Sequence, residues 1–225
     1  MTRTQARLAQ SAACEIRHDT TTRQLYATDA SIYQIVPAAV AFPRTVQEAA
    51  GAMVRAAEEG LAVIPRGGGT GLAGGALGEG LVVDCARHNK AITDLDVEAG
   101  TVRVGAGVVL DQLNAFLKPH HLCFGPDVAT SSRATLGGMI GNNSSGARTP
   151  VYGVTIDHVA SVELVTADGR VTTVELGEGL GDAGAQIAGI VRNNEALIRD
   201  TLHDGVIKRW PGYGLDRFLR SGGDL

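Results

Sequence analysis

RGGGTGLAGG, residues 66–75, places six glycines in ten positions directly after the apolar run LAVIP (61–65). Glycine lets the main chain take positive φ and gather its N–H groups into one concavity, and the missing side chains let an anion approach closely. Gly67, Gly68, Gly69, Gly71, Gly74 and Gly75 therefore read as a phosphate-binding nest, with Thr70 adding a hydroxyl and Arg66 a charge. A P-loop would follow its glycines with Lys-Ser/Thr, whereas Leu72-Ala73 stands here and the next lysine is Lys90. Gly69 to Gly74 has G-x-G-x-x-G spacing, yet more glycine follows where a dinucleotide fold would start its helix.

A second loop narrows the ligand. In GPDVATSSRATLGGMIGNNSSGARTPVYG (125–153), short hydroxyl and amide side chains alternate with glycine. Such a row suits a large polar cofactor carrying phosphates and a heterocycle. Leu136, Met139 and Ile140, interleaved in it, are expected to be buried.

Together, PRGGGTGLAGGA (65–76), the 125–153 segment and TDAS-x-Y (28–33) resemble the FAD domain of the vanillyl-alcohol-oxidase/p-cresol-methylhydroxylase superfamily. Within it they are most similar to the D-lactate, glycolate and D-2-hydroxyglutarate dehydrogenase branch. The likeness runs from about Tyr26 to Tyr213. It implies that residues 66–71, Gly74 and Gly75 wrap the FAD diphosphate with main-chain amides. Pro126 and Asp127 would lie beside the isoalloxazine. Ser132, Thr135, Gly137, Gly138, Gly141, Asn142 and Ser145 would contact flavin and diphosphate. Gly146, Tyr152 and Gly153 would shape the same wall, and the backbone near 157–163 would hold the adenine side. Some members attach flavin through a histidine in the first glycine loop; Thr70 stands in this one, so non-covalent FAD is expected.

Residues 21–205 are expected to form the FAD-binding domain. Thr45 and Glu48 have capping-box spacing, and Val46, Ala49, Ala50, Met53, Val54 and Ala57 follow as one helical stripe closed by Gly60. Strands are expected at LAVIP, 81–84, 91–95 and 101–104, then a helix over 108–118 built on Leu110, Leu113 and Leu117 and stopped by Pro119. Asp168-Gly169 marks a hairpin, and 184–202 a last helix. The order predicts an α+β fold of two lobes, about 21–105 and 106–205, each a small sheet with flanking helices. Residues 1–20 read as a leader or weak helix. Residues 206–225 read as the start of a linker to a substrate-binding domain, since too few follow Pro211 for another domain.

Composition excludes several classes. A net charge of −4 gives no basic field for nucleic acid or anionic lipid. Cys14, Cys85 and Cys123 are too dispersed for a disulfide framework, a zinc site or an iron–sulfur cluster. No apolar run is long enough to span a bilayer, so the expected place is cytoplasmic, free or peripheral to the inner membrane.

The resemblance implies oxidation of a small D-2-hydroxy acid, with electrons passed to a quinone, an iron–sulfur module or an electron-transfer protein. Such oxidation also needs a base for the hydroxyl proton. Among His18, His88, His120, His121, His158 and His203 no H-x-x-H or H-E-x-x-H arrangement occurs, so no catalytic or metal residue is assigned. The isolated portion is expected not to turn over substrate. A non-catalytic FAD-binding or electron-transfer subunit stays open as an alternative, as does a phosphate-nest module without flavin.

Overall fold

The computed structural model describes Gln5, Leu8 and residues 14–175, 181–202 and 213–220. A four-stranded sheet forms its first half: β1 (Glu15–Arg17), β2 (Ala39–Phe42), β3 (Val63–Arg66) and β4 (Leu81–Asp84), in the order β1-β2-β4-β3. β1 runs antiparallel on one edge, while β2, β4 and β3 are parallel. A short helix, α1 (Thr20–Leu25), links β1 to the segment before β2; Asp19 caps it by accepting from Thr22 N. α2 (Val46–Glu58) crosses over from β2 to β3.

Strand alternation sorts the sheet's two faces. Ala39, Ala41, Leu81 and Val83 turn toward α2 and meet Ala52 and Ala56. Val40, Val82, Phe42 and Ile64 turn the other way, where Tyr26 covers them. Both strands are therefore buried on both faces, as a parallel sheet requires. Alanine at two of the helix-facing sheet positions, Ala39 and Ala41, and at Ala52 and Ala56 opposite lets helix and sheet approach closely.

The second core lies around α3 (Leu110–Leu117), whose Leu110, Leu113 and Leu117 are buried with Val108, Ala134, Leu136 and Met139. The hairpin β5 (Ile92–Asp96)–β6 (Thr101–Val104) packs Ile92, Leu95, Val102 and Val104 on this core. It does so although it precedes residue 105, the expected division between lobes. Main-chain bonds then tie 106–110 to 134–137: Leu110 N to Ala134 O, Leu136 N to Val108 O and Gly137 N to Ala106 O. Beyond them lie α4 (Leu136–Gly141), α5 (Thr149–Tyr152) and the hairpin β7 (Ser161–Val165)–β8 (Val171–Glu175). α6 (Asp182–Asn193), α7 (Glu195–Thr201) and α8 (Leu215–Arg220) complete the described chain.

Several local expectations shift. Glu48 reaches back to Arg44 N (2.7 Å), one residue before the Thr45 cap, which itself accepts from Glu48 N at 3.1 Å. The buried positions of α2 are Ala50, Ala52 and Ala56; Ala49 and Met53 of the expected stripe pack beside them, whereas Ala57 is exposed. Val54 points instead at the β7–β8 turn: a Cβ added at Gly169 would overlap its Cγ2. Pro119 does not end α3 outright; Lys118–His120 tightens into a 3-10 turn closed by His121 at φ 58°. The last expected helix is two, broken at Asn194, whose amide side chain donates to Ile190 O at 2.8 Å. Glu15–Arg17, inside the expected leader, is an edge strand. The rest of that leader lies outside the described residues apart from Gln5, Leu8, Cys14 and 18–20. Of the expected linker, only 213–220 are described.

Candidate cofactor site

Arg66 is the last residue of β3, and the first glycine loop leaves the sheet at its carboxyl edge. Ligands of open parallel sheets gather at that edge. The loop is anchored where it begins: Cys85 N donates to Arg66 O (2.9 Å), and Ala30 N, from the TDAS segment, donates to Gly69 O (3.0 Å). Gly69 takes φ +63°, a left-handed turn that glycine makes without Cβ strain. Tyr33 lies over the far end, 2.9 Å from where a Cβ on Gly74 would stand.

The charge that sequence alone directs at phosphate is held elsewhere. Arg66 Nη2 donates to Thr28 O at 2.7 Å, and Nη1 to Tyr26 O at 3.2 Å and Ala76 O at 3.5 Å. Its guanidinium also stacks on the Tyr26 ring, 5.2 Å from the centroid. The Tyr26 hydroxyl donates to buried Asp84 Oδ2. Burial, joined by that carboxylate, pushes the phenol well above its ordinary range.

The two loops meet at Thr135, the residue before α4. A Cβ added at Gly67 would overlap Thr135 Oγ1, and one at Gly68 would overlap Arg133 O. Gly138 faces the same hydroxyl. Gly137 lies against Ala106, whose Cβ is 2.7 Å from an added Cβ, and its N–H is taken by Ala106 O at 2.9 Å. Thr135 Oγ1 is buried between these glycines and makes no hydrogen bond among the described residues. A buried hydroxyl without a partner costs about 1–3 kcal/mol, a cost that an acceptor on a bound group would relieve.

A second set of contacts builds another wall. Pro126 is fully buried. Asp127 Oδ1 accepts from Arg148 N (3.1 Å), and a Cβ on Gly146 would overlap Asp127 O. Asp127, Ser145 and Gly146 border a cavity of about 630 Å³, with Val128, Ala147 and Pro150 among its other walls. Tyr152 covers Gly125, 3.0 Å from an added Cβ. His158 Nε2 lies 2.7 Å from Tyr152 O, and its ring packs on Phe124 with centroids 5.4 Å apart. Asp157 Oδ2 accepts from Val154 N at 2.7 Å beside Gly153, while Oδ1 takes Arg217 Nη1 of α8 at 2.5 Å. Partial burial alone would raise that carboxyl; the bonds from Arg217 and Val154 hold it below the ordinary range.

Three of the glycines expected at the site differ from the others there, and share their open surroundings with Gly189 of α6. Added Cβ atoms at Gly71, Gly75 and Gly141 would meet nothing within 4 Å, and none of the three has positive φ. Neither protein contacts nor backbone strain explains glycine at these positions.

The model of a family described as FAD binding domain matches residues 37–175. The chain belongs to this family. Its cofactor is FAD, and the orphaned Thr135 hydroxyl and the three open glycines fit a large phosphate-bearing ligand. Over 211 residues the chain is 46% identical to D-2-hydroxyglutarate dehydrogenase of Escherichia coli K12, covering 90% of this chain and 20% of that protein. Glycolate oxidase subunit GlcD of Bacillus subtilis is 37% identical over 152 residues, 66% of this chain and 32% of its own. Xylooligosaccharide oxidase from Myceliophthora thermophila C1 shares the fold with a TM-score of 0.65 at 25% identity, over 77% of this chain and 37% of that one. The chain thus spans about a fifth of the length of the dehydrogenase it matches. The α+β fold of p-cresol-methylhydroxylase type, expected from the family resemblance, is the fold found.

Of the site residues expected from sequence, the structure brings Arg66, Gly67, Gly68, Thr135 and Gly138 together. It groups Asp127 with Ser145 and Gly146, and sets Tyr152 and Gly153 on the Asp157 turn. Ser132 and Asn142 are exposed, the latter with its amide donating to Gly138 O at 2.9 Å. Ile140 is 42% exposed, contrary to expectation, because α4 is only six residues long and Leu136 and Met139 alone face its core. Tyr26, Asp84, Ala106 and Asp157 went unnoticed in the sequence. Gly105-Ala106-Gly107 carried a signal for the third: added Cβ atoms at both glycines would overlap Asn89. Among the described residues, no group of three or more His, Cys, Asp and Glu could hold a metal. No helix there is long and apolar enough to cross a membrane.

Proposed function

We propose that this chain is the FAD-binding portion of a flavin-dependent dehydrogenase that oxidises a small D-2-hydroxy acid to its 2-oxo acid. Bound FAD supplies the hydride acceptor for such an oxidation. The chain's own part is to hold and orient it. Main-chain amides of 66–71, Gly74 and Gly75 receive the diphosphate, with Thr135, Gly137, Gly138, Gly141, Asn142 and Ser145 on the opposing side. Asp127, Pro126, Gly146, Tyr152 and Gly153 form the wall beside the ring system, Ser132 lies at its rim, and Thr70 leaves the flavin non-covalently held. The domain spans about 21–205, and the protein works in the cytoplasm or at the inner membrane face. Electrons leave to a quinone, an iron–sulfur module or an electron-transfer protein. The observation that carries this reading is the Thr135 hydroxyl, buried between Gly67 and Gly138 with no partner among the described residues, taken together with the open glycines 71, 75 and 141.

The likeness to a glycolate oxidase subunit favours a second reading, a FAD-binding subunit whose substrate site includes a partner chain. One preparation tests the shared core of both. The full chain, incubated with FAD and desalted, should retain visible flavin absorbance. Acid precipitation should release that colour into the supernatant. A colourless chain would sink the cofactor assignment, and colour fixed to the pellet would sink non-covalent binding. Dye reduction with a D-2-hydroxy acid by the chain alone would show a complete active site and remove the need for a partner.

A further inference from the structure

We propose that Arg66, Tyr26 and Asp84 form a clamp that positions the first glycine loop. On this proposal, which rests on the cofactor site proposed above, Arg66 serves the cofactor through the loop's main chain and not by pairing with its phosphates. Arg66 and Asp84 are register partners on adjacent parallel strands and carry opposite charges. Tyr26 stands between them, with its ring under the guanidinium and its hydroxyl on the carboxylate. The second Asp84 oxygen accepts from Ala86 N at 2.6 Å and Arg87 N at 2.9 Å. Three donors thus satisfy a carboxylate that is only 5% exposed, which offsets the cost of burying it.

The guanidinium then ties three pieces of chain together. Arg66 opens the glycine loop, Ala76 closes it, and Thr28 begins the segment lying over it; Arg66 donates to the carbonyls of both. Gly69 lies so close that an added Cβ would be 2.9 Å from Nη2. A planar fork with five donors can serve carbonyls in several directions, whereas a lysine ammonium on the same path is a flexible point charge. The loop's path is therefore set by a side chain whose donors are turned to main-chain carbonyls at the loop's far end and in the segment lying over it.

The test is FAD binding by the full chain, read by fluorescence titration at several salt concentrations, with folding checked by circular dichroism. Arg66→Met should weaken binding about tenfold, equal to about 1.4 kcal/mol. Arg66→Lys, although it keeps the charge, should weaken it nearly as much. The dependence of Kd on salt should stay that of the unaltered chain, because no charge facing the phosphates is lost. Tyr26→Phe should weaken binding alone yet add little to Arg66→Met, since the two act as one unit.

A lysine variant that binds normally, or a salt dependence that falls in Arg66→Met, would overturn the clamp in favour of direct phosphate pairing. Additive losses would also overturn it. Should Arg66→Met fail to fold, Arg66→Lys and Tyr26→Phe carry the same comparison. An unaltered chain that binds no FAD defeats the cofactor site itself, whereas normal binding by every variant defeats the clamp alone.

Discussion

Gly67 and Thr135 stand so close that no side chain fits between them: a Cβ on the glycine would occupy the space of the Thr135 hydroxyl. Residues 68 apart in sequence thus close the junction where both glycine-rich loops meet. The hydroxyl caught there is buried and unpaired.

Thr135→Val should therefore act oppositely on the empty and loaded protein. Without FAD it removes a hydroxyl whose unmet bond costs about 1–3 kcal/mol, so the melting temperature should hold or rise. With FAD the same change removes a donor, and affinity should fall. Thermal melts with and without cofactor check both signs; a variant destabilised in both states would mean the hydroxyl has a protein partner.

Two neighbouring glycines should separate stability from binding. Gly67→Ala forces a carbon into occupied space and should cost about 1–3 kcal/mol of folding stability. Gly71→Ala enters open space, so its stability should stay within about 0.5 kcal/mol of the unaltered chain. Its FAD affinity should nonetheless drop. Urea melts and FAD titrations on the pair give the comparison, and equal affinity for Gly71→Ala would place the ligand elsewhere.

Asp157 predicts a pH dependence. Its carboxyl is held below its ordinary value by Arg217 and Val154. A depressed folded pKa gives stability that is present above the unfolded value of about 3.9 and is lost as pH falls through the folded one. Asp157→Asn should thus be less stable than the unaltered chain at neutral pH, with the gap narrowing at pH values below about 3.9. Denaturant melts across that range check it. A gap that is constant with pH would assign the loss to geometry and not to charge.

Elements that depend on near neighbours were legible in the sequence. Thr45 capping α2, the leucine face of α3 and the Asp168-Gly169 turn are all settled within a few residues. The α2 face was legible only in part: Ala49, Ala50 and Met53 do turn inward, but alanine surrounds that helix, so periodicity could not tell Ala52 and Ala56 from Ala57, and only the sheet beneath decides. β1 escaped notice because three residues hold no pattern of their own, and its order comes from pairing with β2. The glycine loops pointed through their composition to a phosphate-bearing cofactor, and FAD followed from the family resemblance they carry. Which glycines are closely packed and which face open space could not be read, because Gly67 and Gly71 differ only in what lies opposite. The Arg66 fork was hidden for the same reason: its acceptors are carbonyls, which every residue has, and Asp84 lies 58 residues beyond Tyr26.

α2 is held from two sides, by Ala39, Ala41, Leu81 and Val83 on one and by the β7–β8 turn at Val54 on the other. A wall shared in this way cannot be released by one neighbour without loosening the other. Opening of the distant hairpin and opening of the sheet that carries the first glycine loop then become a single event. Amide hydrogen exchange in β8 should consequently slow when FAD binds, a report from a strand outside the proposed cofactor site.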